Sequence, residues 1–257
     1  MGLAQLGLFQ SSARDFGGAV QLGLAYTRAD ERFVGLLQLS LARNEAVTFL
    51  GPLQISAMNH AATFMGGLQL GLVNNVRVED PAAADVRFVG LAQIGLLNEV
   101  TRGPLMGIGQ FGILSYVGGH LYGFGQLGFI NAADSFHGVL QAGFANVVTN
   151  GSFDGFGQFG VGNFVDQHFN GFLQTALIFN GATRAFRGVA QISALVNLVT
   201  RELAGASIGI VNKTEQTTGL QAGLVNLTGK LRGVQLGLVN ISDDGGLPFA
   251  PVLNVGL

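Results

Sequence analysis

Residues 64–74 read Phe-Met-Gly-Gly-Leu-Gln-Leu-Gly-Leu-Val-Asn, and versions of this phrase fill the chain. The shared pattern is an aromatic residue or Leu, any residue, Gly, two apolar residues, Gln, an apolar residue, Gly or Ser, two apolar residues and often Asn. The phrase recurs about every 16 residues, and a fixed period of this kind is the signature of a repeat architecture. The clear copies begin at Phe33, Phe49, Phe64, Phe88, Leu105, Leu121, Phe136, Phe153, Phe169 and Phe186.

The sixth position of every clear copy is Gln. These residues are Gln38, Gln54, Gln69, Gln93, Gln110, Gln126, Gln141, Gln158, Gln174 and Gln191. Weaker copies carry Gln5, Gln21, Gln221 and Gln235, and Ser207 takes the same slot in residues 203–212. Because no shift in composition marks a boundary, we predict one repeat-built β domain over residues 1–257.

Composition excludes several classes of protein. The 257 residues include 41 Gly and no Cys, only 11% are charged, and the formal net charge is −2. Without Cys there is neither a disulfide framework nor a thiolate metal site. The charge gives no reason to expect a nucleic-acid partner. Gly and Gln interrupt every apolar run before the ~18 residues that a membrane-spanning helix needs.

The phrase favours β-structure over helix, because it combines glycine at two slots with aromatic and branched residues. If residues 64–73 form one strand, Phe64, Leu68, Leu70 and Leu72 lie on one side and Gln69 lies on the other. We therefore predict that the Gln row and the first-slot aromatic residues face opposite sides of a sheet.

Strands of this length predict a membrane protein. About ten residues cross a bilayer as a tilted strand, and the charged clusters lie mainly between the phrases. Asn150-Gly151 is a strong hairpin signal between two copies. We predict an antiparallel transmembrane β-barrel of about 16 strands, with Leu68, Leu70 and Leu72 facing lipid and the Gln row on the inner face. A lipid bilayer would be its partner.

A single-stack β-solenoid with one repeat per coil is the alternative. The period is one strand long, whereas an up-and-down barrel has two kinds of turn and should show a hairpin-length period. In a solenoid every copy has the same environment, the third-slot Gly and the Asn form corners, and Gln stacks in a ladder. Its outer surface would carry a long apolar stripe. Parallel stacking of 136–146 on 153–163 would decide for the solenoid.

Two copies also resemble a known family. Gly-Leu-Gln-Ala-Gly-Leu-Val-Asn (219–226) and Gly-Val-Gln-Leu-Gly-Leu-Val-Asn (233–240) look like the bacterial surface-repeat proteins built from tandem GLQLGLVN units. The ending at 246–257 is similar to the way such chains close. The resemblance implies an exported or surface location, and it supplies no catalytic residue.

Several motifs resemble catalytic or cofactor-binding sites, but they are better explained as positions of the repeat. The three GxGxxG segments at 107–112, 123–128 and 155–160 lack the following helix of a dinucleotide site. Ser207 lies in a GxSxG segment but occupies the Gln slot and has no acid–His pair. The four histidines, which have no metal-ligand spacing, are His60, His120, His137 and His168. We expect no enzyme and no cofactor.

Two functions remain open. A barrel would be an outer-membrane pore or structural surface protein. Its Gln row would consist of buried amides that satisfy one another across neighbouring strands or, as the second interpretation, of a polar ring that constricts the lumen. A solenoid would be an exported adhesive or scaffolding protein, with the Gln row as a structural ladder. Either would place the protein in the bacterial outer membrane or at the cell surface, and either is compatible with a homo-oligomer.

Overall fold

The structure, a computed structural model, describes residues 3–77 and 87–257, and these residues form β-strands joined by short bends. Within these ranges there is no helix long and apolar enough to cross a membrane. The strands are Ala4–Gly7 (β1), Gln10–Gly17 (β2), Val20–Gly23 (β3), Tyr26–Val34 (β4), Leu37–Ser40 (β5), Arg43–Ile55 (β6), Met58–Leu70 (β7), Val73–Val76 (β8), Arg87–Val89 (β9), Ala92–Ile94 (β10), Leu97–Val100 (β11), Leu105–Ala142 (β12), Ala145–Val148 (β13), Phe153–Val165 (β14), His168–Ala182 (β15), Ala185–Ser193 (β16), Val196–Ile208 (β17), Val211–Ala222 (β18), Val225–Asp244 (β19) and Phe249–Gly256 (β20).

The chain divides into two compact units, Met1–Ala133 and Asp134–Leu257, which are described separately below. The expectation of a single domain over residues 1–257 stays a prediction. The sequence has one long connector between the phrases, with Pro81 and three Ala between Arg77 and Arg87. Its residues 78–86 lie outside the described ranges.

One coil of the first unit, residues 43–57, shows how a repeat is built. Three runs of this coil pair in parallel with the next coil: 43–46, 48–51 and 53–55. We call them the Asn segment, the Phe segment and the Gln segment, after Asn44, Phe49 and Gln54, whose side chains are fully buried. Each repeat is therefore one coil of a parallel β-solenoid with three short strand segments.

The antiparallel barrel is wrong. In the second unit Phe136 pairs with Phe153 and Asn146 pairs with Asn163, both in parallel register. Parallel pairing of successive repeats is possible because each repeat turns a full coil before it returns to the same edge. The expected hairpin at Asn150-Gly151 is instead a bend, where the Asn150 side chain donates a hydrogen bond to Asp134 Oδ1 at 2.9 Å.

The predicted opposition of Phe and Gln is also wrong. Phe64 and Gln69 are both fully buried inside the coil. The reason is the corner at Gly66-Gly67, which bends the chain and restarts the alternation of side chains, so that the phrase is not one straight strand. A Cβ on Gly66 would lie 1.8 Å from the carbonyl oxygen of Gly51 in the preceding coil, so only glycine fits there.

Leu68, Leu70 and Leu72 consequently lie on the outer surface of a coil rather than on the lipid face of a barrel. Leu72 is 55% exposed. The solenoid alternative placed corners at the third-slot Gly and at the Asn. The third-slot Gly66 does form part of a corner, whereas Asn74 lies within β8 with its side chain buried.

Stacked aromatic rings fill the core beside the Phe segments. In the first unit, successive rings from Phe16 to Phe88 have centroids 4.7–5.0 Å apart and planes within 9° of parallel. In the second unit, the rings from Phe136 to Phe186 are 4.7–5.0 Å apart and within 5°. The spacing equals the distance between neighbouring strands in a sheet, so parallel register places ring on ring.

The second unit ends in a cap. Strand β20 turns back and pairs antiparallel with β19. Asn254 donates from Nδ2 to Gln235 Oε1 at 3.1 Å and to the carbonyl oxygen of Leu247 at 2.9 Å. This side chain therefore terminates the Gln column, and β20 covers the edge of the last coil.

Candidate interaction surface

The Gln row predicted from the sequence lies inside the coils. All ten of its residues, Gln38 to Gln191, have no exposed area. In the first unit seven hydrogen bonds of 2.7–3.1 Å link the amides from Gln5 to Gln126, each Nε2 donating to the Oε1 of the preceding coil. In the second unit the same bond links Gln141, Gln158, Gln174 and Gln191. Buried in this way, the row presents no atom to a ligand outside the coil.

A second amide column runs beside it. From Asn146 to Asn240 in the second unit, each Nδ2 donates to the Oδ1 of the following coil at 2.8–3.0 Å. Each of these amides also donates to a backbone carbonyl oxygen, as Asn180 does to Ile192 at 2.7 Å. The small residue at the eighth slot leaves room for this amide, since a Cβ on Gly237 would lie 2.6 Å from Asn226 Nδ2.

The two columns point in opposite directions along the stack. Gln amides donate toward the N-terminal coil, and Asn amides donate toward the C-terminal coil. Their dipoles therefore oppose each other. Because the amides of the two columns hydrogen-bond to one another within the coils, with Gln191 Oε1 as an exception, they are structural, and binding must be sought on the outer surface.

The outer surface of the Gln segments is apolar. We call this surface the Gln face: the outward side chains from the second residue before each Gln-slot residue to the fourth after it. None of these windows contains Asp, Glu, Lys, Arg or His. Large, exposed members in the first unit are Leu3, Leu6, Leu8, Phe9, Leu24, Leu36, Leu41, Met58, Leu72, Leu91, Ile94, Leu96, Ile108, Ile113, Leu114, Phe124, Phe129 and Ile130. In the second unit they are Val139, Phe144, Phe156, Phe172, Leu177, Ile178, Val189, Leu195, Ile208, Ile210, Leu224, Leu236 and Leu238.

Over residues 3–77 and 87–257, charged side chains are confined to the other two segments and the corner between them. In the second unit Arg187 pairs with Glu202 at 3.0 Å, and Lys230 pairs with Asp244 at 3.3 Å. These pairs are exposed and contribute little to stability. In the first unit Tyr26 donates to Glu45 Oε2 at 2.6 Å, and burial, followed by this hydrogen bond, raises the pKa of the tyrosine. Each unit is therefore amphipathic around its axis.

Two open grooves flank the Gln segments of the first coils. One, of about 650 Å³, is lined by Leu3, Leu36 and Leu50 over a floor that includes Gly18 and Gly35. The other, of about 390 Å³, is lined largely by leucines at and after the Gln segments, from Leu6 to Leu41. Neither lining includes a charged residue, so both grooves extend the apolar surface.

The residues of the motifs that resemble catalytic or metal sites are not brought together in one place. Ser207 Oγ donates to Asn212 Oδ1 at 2.8 Å inside the coil. His137 lies 3.0 Å from Asp154 on the outer side of the Phe segments. Over residues 3–77 and 87–257 no group of three or more His, Cys, Asp or Glu residues could hold a metal ion.

Sequence reasoning singled out the Gln row and did not identify the Gln face as a binding surface. The signal was present, because every window around a Gln-slot residue is free of charge. The Gln amides were interpreted first as buried and hydrogen-bonded to one another and second as the lining of a lumen. Their apolar neighbours were interpreted as lipid contacts of a barrel or as an exposed stripe of a solenoid. Burial of Gln turns those neighbours outward into solvent.

Comparisons with known proteins add no family to this geometry: no family model, no curated protein and no solved structure matches the chain.

Proposed function

We propose that this protein is a non-enzymatic, exported β-solenoid that acts as an adhesive or scaffolding protein at the bacterial cell surface. The Gln face carries the proposal. Within each unit, an apolar surface of this extent is unusual on a monomeric soluble protein and is typical of an interaction site. The resemblance of residues 219–226 and 233–240 to surface-repeat units supports the location.

The arrangement of the coils suits such a role. Repeat stacking produces an extended surface in which each coil adds the same kind of side chain to the same side. The buried amide columns and stacked rings hold that surface rigid, so binding need not order it. Charged side chains on the Asn and Phe segments keep the rest of each coil's outer surface hydrated.

Adsorption of the purified chain to defined surfaces tests the binding role. We expect strong adsorption to a methyl-terminated monolayer and weak adsorption to a hydroxyl-terminated one, measured with a quartz microbalance. Phe156→Lys/Phe172→Lys places two charges on the Gln face and should reduce the mass bound to the methyl surface about tenfold. The matched control is Thr200→Lys/Thr218→Lys, which adds the same charge to exposed positions outside this face.

Equal adsorption of the unchanged chain to both monolayers would refute the adhesive role of the Gln face. The location is tested separately, by labelling intact and permeabilised cells of the source bacterium with an antibody raised against the chain. Signal that appears only after permeabilisation would contradict a surface location.

A further inference from the structure

The Gln face of the second unit changes in bulk along its length. The column two residues before the Gln slot reads Val139, Phe156, Phe172, Val189, Gly205, Gly219 and Gly233. Phe156 and Phe172 are each 50% exposed and stack on one another at 5.3 Å. From Gly205 onward the repeat is one residue shorter, and the register shifts between Arg187 and Ala190. One glycine there takes the place of residues 188 and 189 and leaves bare backbone at this position. One half of the column is therefore a ridge, and the other half is a trough.

We propose that a second copy of this chain occupies this face, packed antiparallel across a two-fold axis at the level of Val189. Such an axis lies in the plane between the copies and runs perpendicular to the stacking direction of the coils. It therefore places the column of one copy against the same column of the other copy in reverse order. Phe172 of one copy then faces Gly205 of the other, and Phe156 faces Gly219. This is the self-complementarity that an isologous interface requires. The inference rests on the proposed function and names the occupant of its surface.

Spacing favours a second copy over an unrelated protein. Coils are about 4.8 Å apart in both copies, so side chains that interdigitate at one level interdigitate at every level, as in the dry interface between paired sheets. A different partner would need the same repeat to match it.

Area also favours this occupant. The thirteen large, exposed side chains of this face present on the order of 1,000 Å², taking roughly half of the area of each side chain as exposed. A stable interface takes about 800 Å² from each partner.

A bilayer fits less well. Protein surfaces that bind membranes usually add Lys or Arg to their apolar residues to contact lipid headgroups. The Gln-face windows contain neither, and the net charge of the chain is −2.

Sedimentation of the full chain tests the proposal. We expect the unchanged protein to sediment at twice its mass of 26.7 kDa. Phe156→Lys/Phe172→Lys should weaken dimerisation at least about tenfold, because the charges would be buried without partners. Thr200→Lys/Thr218→Lys should leave the dimer intact. Circular dichroism establishes that each variant is folded.

Crosslinking provides a second measurement that does not depend on the lysine variant folding. The chain contains no Cys, so Val189→Cys introduces one thiol per copy at the proposed axis. Packed sheets lie about 10 Å apart, too far for a disulfide, and a short bis-maleimide should therefore join Val189→Cys to its copy. Thr218→Cys, outside the face, should not crosslink.

A monomeric unchanged chain, or a Val189→Cys chain that does not crosslink, overturns the second-copy assignment. Flotation of a monomeric chain with phosphatidylcholine vesicles would instead assign the face to lipid. If the monomer still adsorbs to the methyl monolayer and Phe156→Lys/Phe172→Lys does not, the proposed adhesive function survives the failure of the dimer.

Discussion

The two units keep different amide columns intact. In the first unit the Gln column is continuous from Gln5 to Gln126, whereas the Asn column is replaced by Ser11, Thr27 and Ser115. In the second unit the Asn column is continuous from Asn146 to Asn240, and the Gln column is broken at Ser207. Each unit therefore retains one uninterrupted column and tolerates breaks in the other.

The breaks leave polar atoms unpaired. Ser207 pairs in register with Gln191 and Gln221 but is too short to reach their amides. Gln191 Oε1 consequently has no hydrogen-bond partner among the described residues, and neither has Ser115 Oγ in the first unit. Stability in a stack of repeats is roughly a sum of local terms, so one weak coil does not unfold its neighbours.

The largest expected effect is the loss of a rung from the intact Asn column. Asn180 accepts a bond from Asn163 and donates to Ile192 O and Asn197 Oδ1. Asn180→Ala leaves all three neighbours buried without that partner. Because each buried unsatisfied group costs about 1–3 kcal/mol, we expect the free energy of unfolding to fall by roughly 4 kcal/mol. Denaturant unfolding measures it, and hydrogen exchange should show lost protection in β15 and β16.

The matched variant for the broken Asn column is Ser115→Ala in the first unit. Its hydroxyl has no partner to lose, so the free energy of unfolding should change by less than about 0.5 kcal/mol. Similar losses for Ser115→Ala and Asn180→Ala would mean that continuity of the column contributes nothing.

Repair of the broken Gln column should have an intermediate effect. Ser207→Gln supplies a donor for Gln191 Oε1 and an acceptor for Gln221 Nε2, which now donates only a 3.4 Å bond to Leu227 O among the described residues. We expect a gain of about 1 kcal/mol, because the new bonds are offset by the loss of the Ser207 bond to Asn212. Ser207→Leu adds similar bulk without an amide, and a gain as large in that variant would show that volume alone is responsible.

Of the two repairs, the smaller effect is expected from repair of the Asn column at Ser115→Asn. Asn98 Nδ2 already donates to Phe111 O at 2.9 Å, so the new amide improves a group that is already paired. A gain of about 0.5 kcal/mol should raise the melting temperature by only a degree or two. A larger gain than that of Ser207→Gln would mean that repair of the Asn column stabilises the protein more than repair of the Gln column does.

Much of the fold followed from residues such as those at 64–74. Their period predicted a repeat protein, and their composition predicted β-strands. The direction of pairing did not follow, because a one-strand period fits both a barrel strand and a solenoid coil. The Gln face was equally hidden, since its assignment depends on which side of Gln69 meets solvent.

By itself, the sequence determined the repeat, the β-structure and the absence of charge around every Gln-slot residue. Tertiary structure alone decided that Phe64 and Gln69 share one interior. The physical reason is the corner at Gly66-Gly67, which interrupts the alternation of side chains and lets parallel coils stack identical residues in register. Once the amides are buried, Leu72 and its equivalents must face outward, and the surface that we propose for binding is formed.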